Sequence, residues 1–448
     1  MSRFYELLKT NKIYESNELR DFILGLESRY EVVNSFEHYN SLVNFSKNKN
    51  APVHEWFKYR EGFAGVLIDE LIDDSNLQKD DMVVDPFVGS GTTLVSSVSK
   101  GFDAIGIDVN PMSAVISKVK STSYLDEDLN RVSEFLNELP SLVKNQDEPI
   151  VEPVSKYFPI ENYKTLKKIY TLIERIKSSK EFDILFCGYL SIIEECSNRR
   201  RDGNGLKTVV TKIDDVLMYY VEKVNKIVMD IKSVSNNYKA NSYVFAGSSS
   251  NMSSMIEQVK SLNGRQVGSI IFSPPYANSF DYFESYKLEL ILGGFVSGSK
   301  KIDDYRSTAV RSFIGGEKEN SADYFVNILS KEIEDAIPAK EAETGKKDAR
   351  TRKVPQMIKG YFTDMGKIVN ECYKSLRKDG KCYIVIDQSS YIGKVVPSDL
   401  LVAYLAEKSG FNVLKIIECR TAKTSGQQIS KFPYLREMLR ESIIVLQK

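Results

Sequence analysis

The spacing of apolar positions changes several times along the chain, and each change marks an element. Leu19, Phe22, Ile23 and Leu26 recur at helical spacing in a polar arm, residues 1–50, and predict a short N-terminal helix. His54–Ile72 is dense in aromatics (Trp56, Phe57, Tyr59, Phe63) before Val66-Leu67-Ile68 and Leu71-Ile72, the pattern of a loop entering an amphipathic helix. From Asp81 short apolar runs take over. Met82–Val84 reads as a strand, Leu94–Lys100 as a helix closed by Gly101, and Ala104–Ile107 as a second strand ending on Asp108.

Residues 126–238 return to helical spacing. Ile160, Tyr163, Leu166, Ile169, Tyr170, Ile173 and Ile176 form one stripe, and Val216, Tyr219, Tyr220 and Ile227 another. Between them lies a basic glycine-containing loop, Ser197–Lys207. Strands resume at Ser242–Phe245 and Val267–Phe272, with a helix near Met252–Val259 between them. A charged insertion, 296–354, ends in Lys346-Lys347-Asp348-Ala349-Arg350-Thr351-Arg352-Lys353. After it come a helix (Met357–Leu376), a turn at Asp379-Gly380, a strand (Cys382–Ile386), a helix (Ser398–Ser409) and strands Val413–Ile417 and Ser442–Leu446. Strands alternating with helices predict an α/β fold around one sheet of seven strands. The expected divisions are a helical arm (1–50), sheet segments at 51–125, 239–295 and 355–448, and insertions at 126–238 and 296–354.

Composition narrows the function. The 448 residues carry 61 Lys plus Arg against 61 Asp plus Glu, which argues against a generic polyanion binder but allows a local basic face. Two histidines and five scattered cysteines supply neither a zinc site nor a Ser-His-Asp hydrolase, so no metal is expected. Dispersed, odd-numbered cysteines suit a reducing cytoplasm. No apolar run approaches the ~20 residues of a membrane span, and Met1–Thr10 lacks a signal-peptide core, so a soluble cytoplasmic protein is expected.

Two stretches carry chemistry. Asp85-Pro86-Phe87-Val88-Gly89-Ser90-Gly91-Thr92-Thr93 joins the first strand to its helix, and its glycines permit a tight turn and close approach to a ligand. No lysine follows Gly91, so the loop is not a triphosphate-binding P-loop. Asp108, ending the next strand, is placed to accept hydrogen bonds from a ribose diol. The second stretch is Ser273-Pro274-Pro275-Tyr276, where two prolines stop a buried strand in a rigid turn. In open α/β sheets such strand ends are where sites form.

Together these motifs resemble the amino-group DNA methyltransferases, which use S-adenosylmethionine to methylate cytosine N4 or adenine N6. The resemblance extends to Trp56–Phe63, Tyr286-Lys287-Leu288-Glu289-Leu290 and Leu435–Leu446. It implies a Rossmann-like methyltransferase sheet, mostly parallel with one antiparallel strand. It implies a cofactor site from Asp85, Pro86, Phe87, Gly89, Gly91, Thr92, Asp108 and Asn110, with Tyr59 and Ser248. Relatives often place an acid after the third strand, where this chain has Gly247-Ser248-Ser249-Ser250.

The implied catalytic residues are Ser273, Pro274, Pro275 and Tyr276. The Ser273 hydroxyl oxygen and the Pro274 carbonyl would accept the two amino hydrogens, favouring a tetrahedral nitrogen whose lone pair can attack. Tyr276 would stack on a base flipped from duplex DNA. Serine at position 273 is typical of N4-cytosine enzymes, whereas aspartate is usual for N6-adenine. No cysteine follows Pro274 or Pro275, which argues against methylation at cytosine carbon-5.

The sheet is shared by enzymes of different specificity, so target recognition is expected from the insertions. Candidate phosphate contacts are Arg199, Arg200, Arg201, Lys207, Lys346, Lys347, Arg350 and Arg352, with Arg436 and Arg440 as weaker ones. The expected partners are double-stranded DNA and a cognate restriction endonuclease. RNA amino-group methylation and an inactive DNA-binding relative are the alternatives.

Overall fold

The structure, a computed structural model, describes residues 2–59, 62–203, 205–234, 237–298, 301–315 and 323–448. Among the described residues twelve strands form: β1 (Val32–Asn34), β2 (Asp81–Asp85), β3 (Asp103–Asp108), β4 (Arg199–Asp202), β5 (Gly205–Thr208), β6 (Ser242–Ala246), β7 (Gln266–Phe272), β8 (Leu376–Asp387), β9 (Ser389–Tyr391), β10 (Lys394–Val396), β11 (Asn412–Thr421) and β12 (Arg440–Gln447). Eight of them form one sheet, in the order β6-β3-β2-β7-β8-β12-β11-β1. Only β12 runs against its neighbours in this sheet. From β2 the chain builds outward through β3 to β6 on one side and through β7 to β8 on the other. The carboxyl ends of β2 and β7 therefore flank a topological switch point, where ligands bind in open α/β sheets.

Every residue of β2 is buried, as are six of the seven in β7, which explains why these strands read as unbroken apolar runs. Alternate side chains serve opposite faces. Val84, Ile270, Ile384 and Ile444 pack with helices Val354–Ser375 and Ser398–Lys408, while Val83, Ile271, Val385 and Ile443 pack with helix Gly65–Asp74. A separate core joins Asp126–Lys144, Ile160–Glu174, Lys180–Cys196 and Val216–Val234, and it includes Trp56, Phe57 and Tyr286. Lys180–Cys196 is buried on nearly every side, so it is the central helix of this bundle.

Three local readings are corrected. The N-terminal arm supplies an eighth strand, β1, which pairs Val32 with Ile416 and is too short to show a period. Asp379-Gly380 is not a turn before a strand; it is an irregularity within β8, where Asp379 takes φ 61° and the register against β7 slips. The basic loop is the antiparallel hairpin β4–β5, with Arg199 opposite Thr208. Within the charged insertion, 21 residues form the helix Tyr324–Thr344. All five cysteines are buried and free. Among the described residues no helix is long and apolar enough to cross a membrane, and no cluster of His, Cys, Asp or Glu is arranged to hold a metal.

Arg440 opens β12 as a structural residue rather than a surface cation. It is 2% exposed, and its guanidinium bonds Glu27, Asp399 and Glu418, each at 2.7 Å. The network ties helix Asn17–Arg29 to the sheet. Arg440→Met leaves three buried carboxylates without their cation. It is expected to cost about 3–5 kcal/mol, read as a lower urea midpoint, whereas Arg436→Met at an exposed position leaves the midpoint unchanged.

Candidate active site

The two motifs meet at the switch point. Asp85 ends β2, and its Oδ1 accepts from the Phe87 amide at 2.9 Å, which turns the chain into the glycine loop. Gly89 (φ 49°) and Gly91 (φ 87°) are left-handed. A Cβ on Gly89 would lie 2.9 Å from the Tyr59 ring, and one on Gly91 would lie 2.8 Å from the Ser117 Cα. Neither position accommodates a side chain. Tyr59 is itself stacked on Tyr286, with ring centroids 5.4 Å apart.

Asp108 clamps this loop to the next one. Its Oδ2 accepts from the Gly89 amide at 3.0 Å and its Oδ1 from the Asn110 amide at 2.8 Å. The Asn110 side chain in turn caps helix Pro111–Ser121 through the Met112 amide. Each Asp108 oxygen keeps acceptor capacity beyond these bonds. Burial pushes the Asp108 carboxyl up to about 6. It pushes Asp85 up to about 7, the charge of Asp108 adding to the shift.

Beyond β7, the Ser273 hydroxyl donates to the Tyr276 hydroxyl at 3.1 Å, and Tyr276 donates to Glu441 at 2.9 Å. The far side of the turn is fixed by the β9–β10 hairpin. Ser389 and Tyr391 hydroxyls donate to the Ala277 carbonyl at 2.7 and 2.9 Å, and Arg350 donates to the Ser279 carbonyl at 3.1 Å.

Both motifs open onto one cavity of about 330 Å³. Tyr59, Phe87, Asp108 and Asn110 line one part of it, Ser273, Pro274, Pro275 and Tyr276 another, and Asp387, Arg420 and Glu441 a third. The aromatic walls and the Asp108 acceptors fit a nucleoside: a ring against Phe87 and Tyr59, and a diol at the carboxylate. Asp85, Pro86, Gly89, Gly91 and Thr92 do not line the cavity; of the loop from Asp85 to Thr93 only Phe87 does.

Several expected residues lie elsewhere. Ser248 does not reach the cavity; it borders a neighbouring depression, and its hydroxyl donates to the Thr308 carbonyl at 3.0 Å. Arg201 is corrected as a DNA contact. It is 5% exposed, pairs with Glu194 and Glu289, and donates to the Ser285 carbonyl at 3.1 Å. Arg200 points back onto the backbone, donating to the carbonyls of Glu194, Ser197 and Glu195. Arg199 lies over Tyr157 at 5.1 Å, and Lys207 pairs with Asp202 on the surface. Lys346 and Lys347 are exposed, and Arg352 is bonded to Glu341. Sequence reasoning missed Asp387, Arg420 and Glu441. Asp387 carried a readable signal, since it directly follows a predicted strand, as Asp85 and Asp108 do.

The mostly parallel eight-stranded sheet with one antiparallel strand, flanked by helices, has the architecture of a Rossmann-like methyltransferase fold. Residues 11–118 match the DNA methylase family of N6/N4 enzymes. The chain is 28% identical over 475 aligned residues to the Type II methyltransferase M.BsoBI of Geobacillus stearothermophilus, covering 95% of this chain and 92% of that one. It is 27% identical to the Type II methyltransferase M.AvaI of Nostoc sp., covering 91% and 89%. M.MjaII of Methanocaldococcus jannaschii is 31% identical over 34% of this chain and 30% of its own. These likenesses support a place among the N6/N4 amino-group DNA methyltransferases, whose Type II members take their methyl group from S-adenosylmethionine.

Gly91→Ala forces a left-handed alanine against fixed backbone. It is expected to lower stability by about 1–2 kcal/mol, measured as a fall in thermal midpoint.

Proposed function

We propose that this protein methylates the N4 amino group of a cytosine flipped out of a specific duplex DNA site, as the modification enzyme of a restriction-modification pair. The observation that carries the reading is the shared cavity, which sets the Ser273-Pro274-Pro275-Tyr276 turn against the Asp108 wall. Ser273 supports cytosine over adenine N6, the second reading. Two relatives covering most of the chain are Type II methyltransferases, which supports a cognate endonuclease as genetic partner.

Asp108, Asn110, Phe87 and Tyr59 would hold S-adenosylmethionine, which when bound would supply an electrophilic methyl group. An exocyclic amino nitrogen is a poor nucleophile because its lone pair is delocalised into the ring. The Ser273 oxygen and the Pro274 carbonyl accept its hydrogens and hold it towards a tetrahedral shape. The prolines keep these acceptors fixed, so little reorganisation is needed at the transition state. The Tyr276 ring supports the flipped base.

Duplex DNA and tRNA are the substrates to compare in labelled-methyl transfer, with nucleoside analysis of the product. N4-methylcytosine from DNA is the expected product; N6-methyladenine moves the assignment to the second reading, and transfer only to tRNA overturns it. Ser273→Ala is expected to slow transfer by roughly 10²–10³-fold while cofactor binding persists. Ribose hydroxyls donate to ionised Asp108, so cofactor affinity falls as pH drops through about 6. Calorimetry on either side of that value shows this dependence in the native protein and not in Asp108→Asn.

A further inference from the structure

A chain of hydrogen bonds runs from the catalytic turn into the sheet. Ser273 Oγ lies 3.1 Å from the Tyr276 hydroxyl, which lies 2.9 Å from Glu441 Oε1, while Arg420 Nε holds the other Glu441 oxygen. An ionised carboxylate only accepts, so the single Tyr276 proton is committed to Glu441. The Tyr276 oxygen then accepts from Ser273. That leaves the Ser273 lone pairs free, at the position where the turn needs an acceptor.

Strand register makes Glu441 the anion. It stands opposite Asp387 on β8 and opposite Arg420 on β11. Only Glu441 is bonded by the guanidinium, and Asp387 Oδ1 has no hydrogen-bond partner among the described residues. Burial and the neighbouring Glu441 charge push the Asp387 carboxyl well above its ordinary range, against the pull of Arg420 and Lys423 and with a further push from Asp399. One proton therefore stays on Asp387 and the negative charge on Glu441.

We propose that Glu441 fixes the direction of this chain and finally receives the proton that the target amino group loses. This rests on the reading of the turn given above. As the nitrogen–carbon bond forms, the carbon–sulfur bond breaks with its electron pair on sulfur, and the amino nitrogen becomes cationic. Its N–H bond then breaks, the pair remaining on nitrogen. That proton passes to Ser273 Oγ, the Ser273 proton to the Tyr276 oxygen, and the Tyr276 proton to Glu441. No tyrosinate forms, and release to water as product leaves resets the chain. Glu441 meets the base only through Tyr276 and Ser273, so it is a positioning residue.

Tyr276→Phe keeps the ring and the Glu441–Arg420 pair but cuts the chain. Glu441→Gln keeps the shape, but its amide donates to Tyr276 and turns the Ser273 proton towards the amino group. Both variants are expected to slow single-turnover methyl transfer to duplex DNA by about 100-fold, with KM for DNA and cofactor affinity little changed. In the native protein the rate rises with pH through the Glu441 carboxyl, which burial raises above its ordinary value despite Arg420, Tyr276 and Lys423. That limb is absent in both variants.

An infrared difference titration without cofactor, native protein against Glu441→Gln, is expected to show a carboxylate band appearing over the same pH range. Native rates with an unchanged acid limb in the two variants overturn the proposal. If Ser273→Ala alone is slow, the relay is wrong and the turn stands. If all three retain native rates, the reading of the turn falls as well. Should Glu441→Gln fail to fold, Tyr276→Phe decides alone.

Discussion

A carboxylate accepts hydrogen bonds and cannot donate them, and two carboxylates placed at strand ends organise this site. Asp108 gathers the Gly89 and Asn110 amides, so two loops from different strands become one wall. Glu441 takes the Tyr276 proton and thereby orients the hydroxyls that lead to Ser273. Burial raises the proton affinity of both groups, a cost that the fold sustains by giving each an N–H or O–H partner.

The sheet order puts these carboxylates within reach of one cavity. Parallel strands deliver their last residues to the carboxyl edge, which accounts for Asp85, Asp108, Ser273 and Asp387. The reversed strand β12 delivers its first residues to the same edge, and this brings Glu441 beside Asp387. Arg440, one residue earlier, lies buried among Glu27, Asp399 and Glu418. The antiparallel strand thus contributes both a structural anchor and a charged residue of the cavity.

Much of this was legible in the chain. The seven principal strands showed as short apolar runs, most plainly β2 and β7, whose burial is nearly continuous, and the glycine loop and the Ser-Pro-Pro-Tyr turn are contiguous. Asp108 was found because it ends a strand after a glycine turn. What escaped reading depends on pairing between distant segments. Nothing near β1 announces its partner Ile416, and nothing near Glu441 announces Asp387 or Arg420. Arg201 and Arg440 look like surface cations in sequence, because the carboxylates that bury them arrive from other elements. Ser248 was expected at the cofactor because it follows the third sheet strand, yet its hydroxyl is directed to Thr308.

Both insertions contact the segment that follows the Ser273-Pro274-Pro275-Tyr276 turn. The β4–β5 hairpin is anchored through Arg201 to Glu289 and the Ser285 carbonyl, just past the catalytic turn, and Arg350 from the charged insertion bonds the Ser279 carbonyl. Both insertions are therefore tied to the stretch from Ser279 to Glu289. Amino-group methyl transfer at a specific DNA site can be read by expressing the protein in a host without DNA methylation and sequencing the genome for modified bases. N4-methylcytosine at one recurring short sequence is the expected result. A genome without modified bases, from cells holding folded protein, would contradict it.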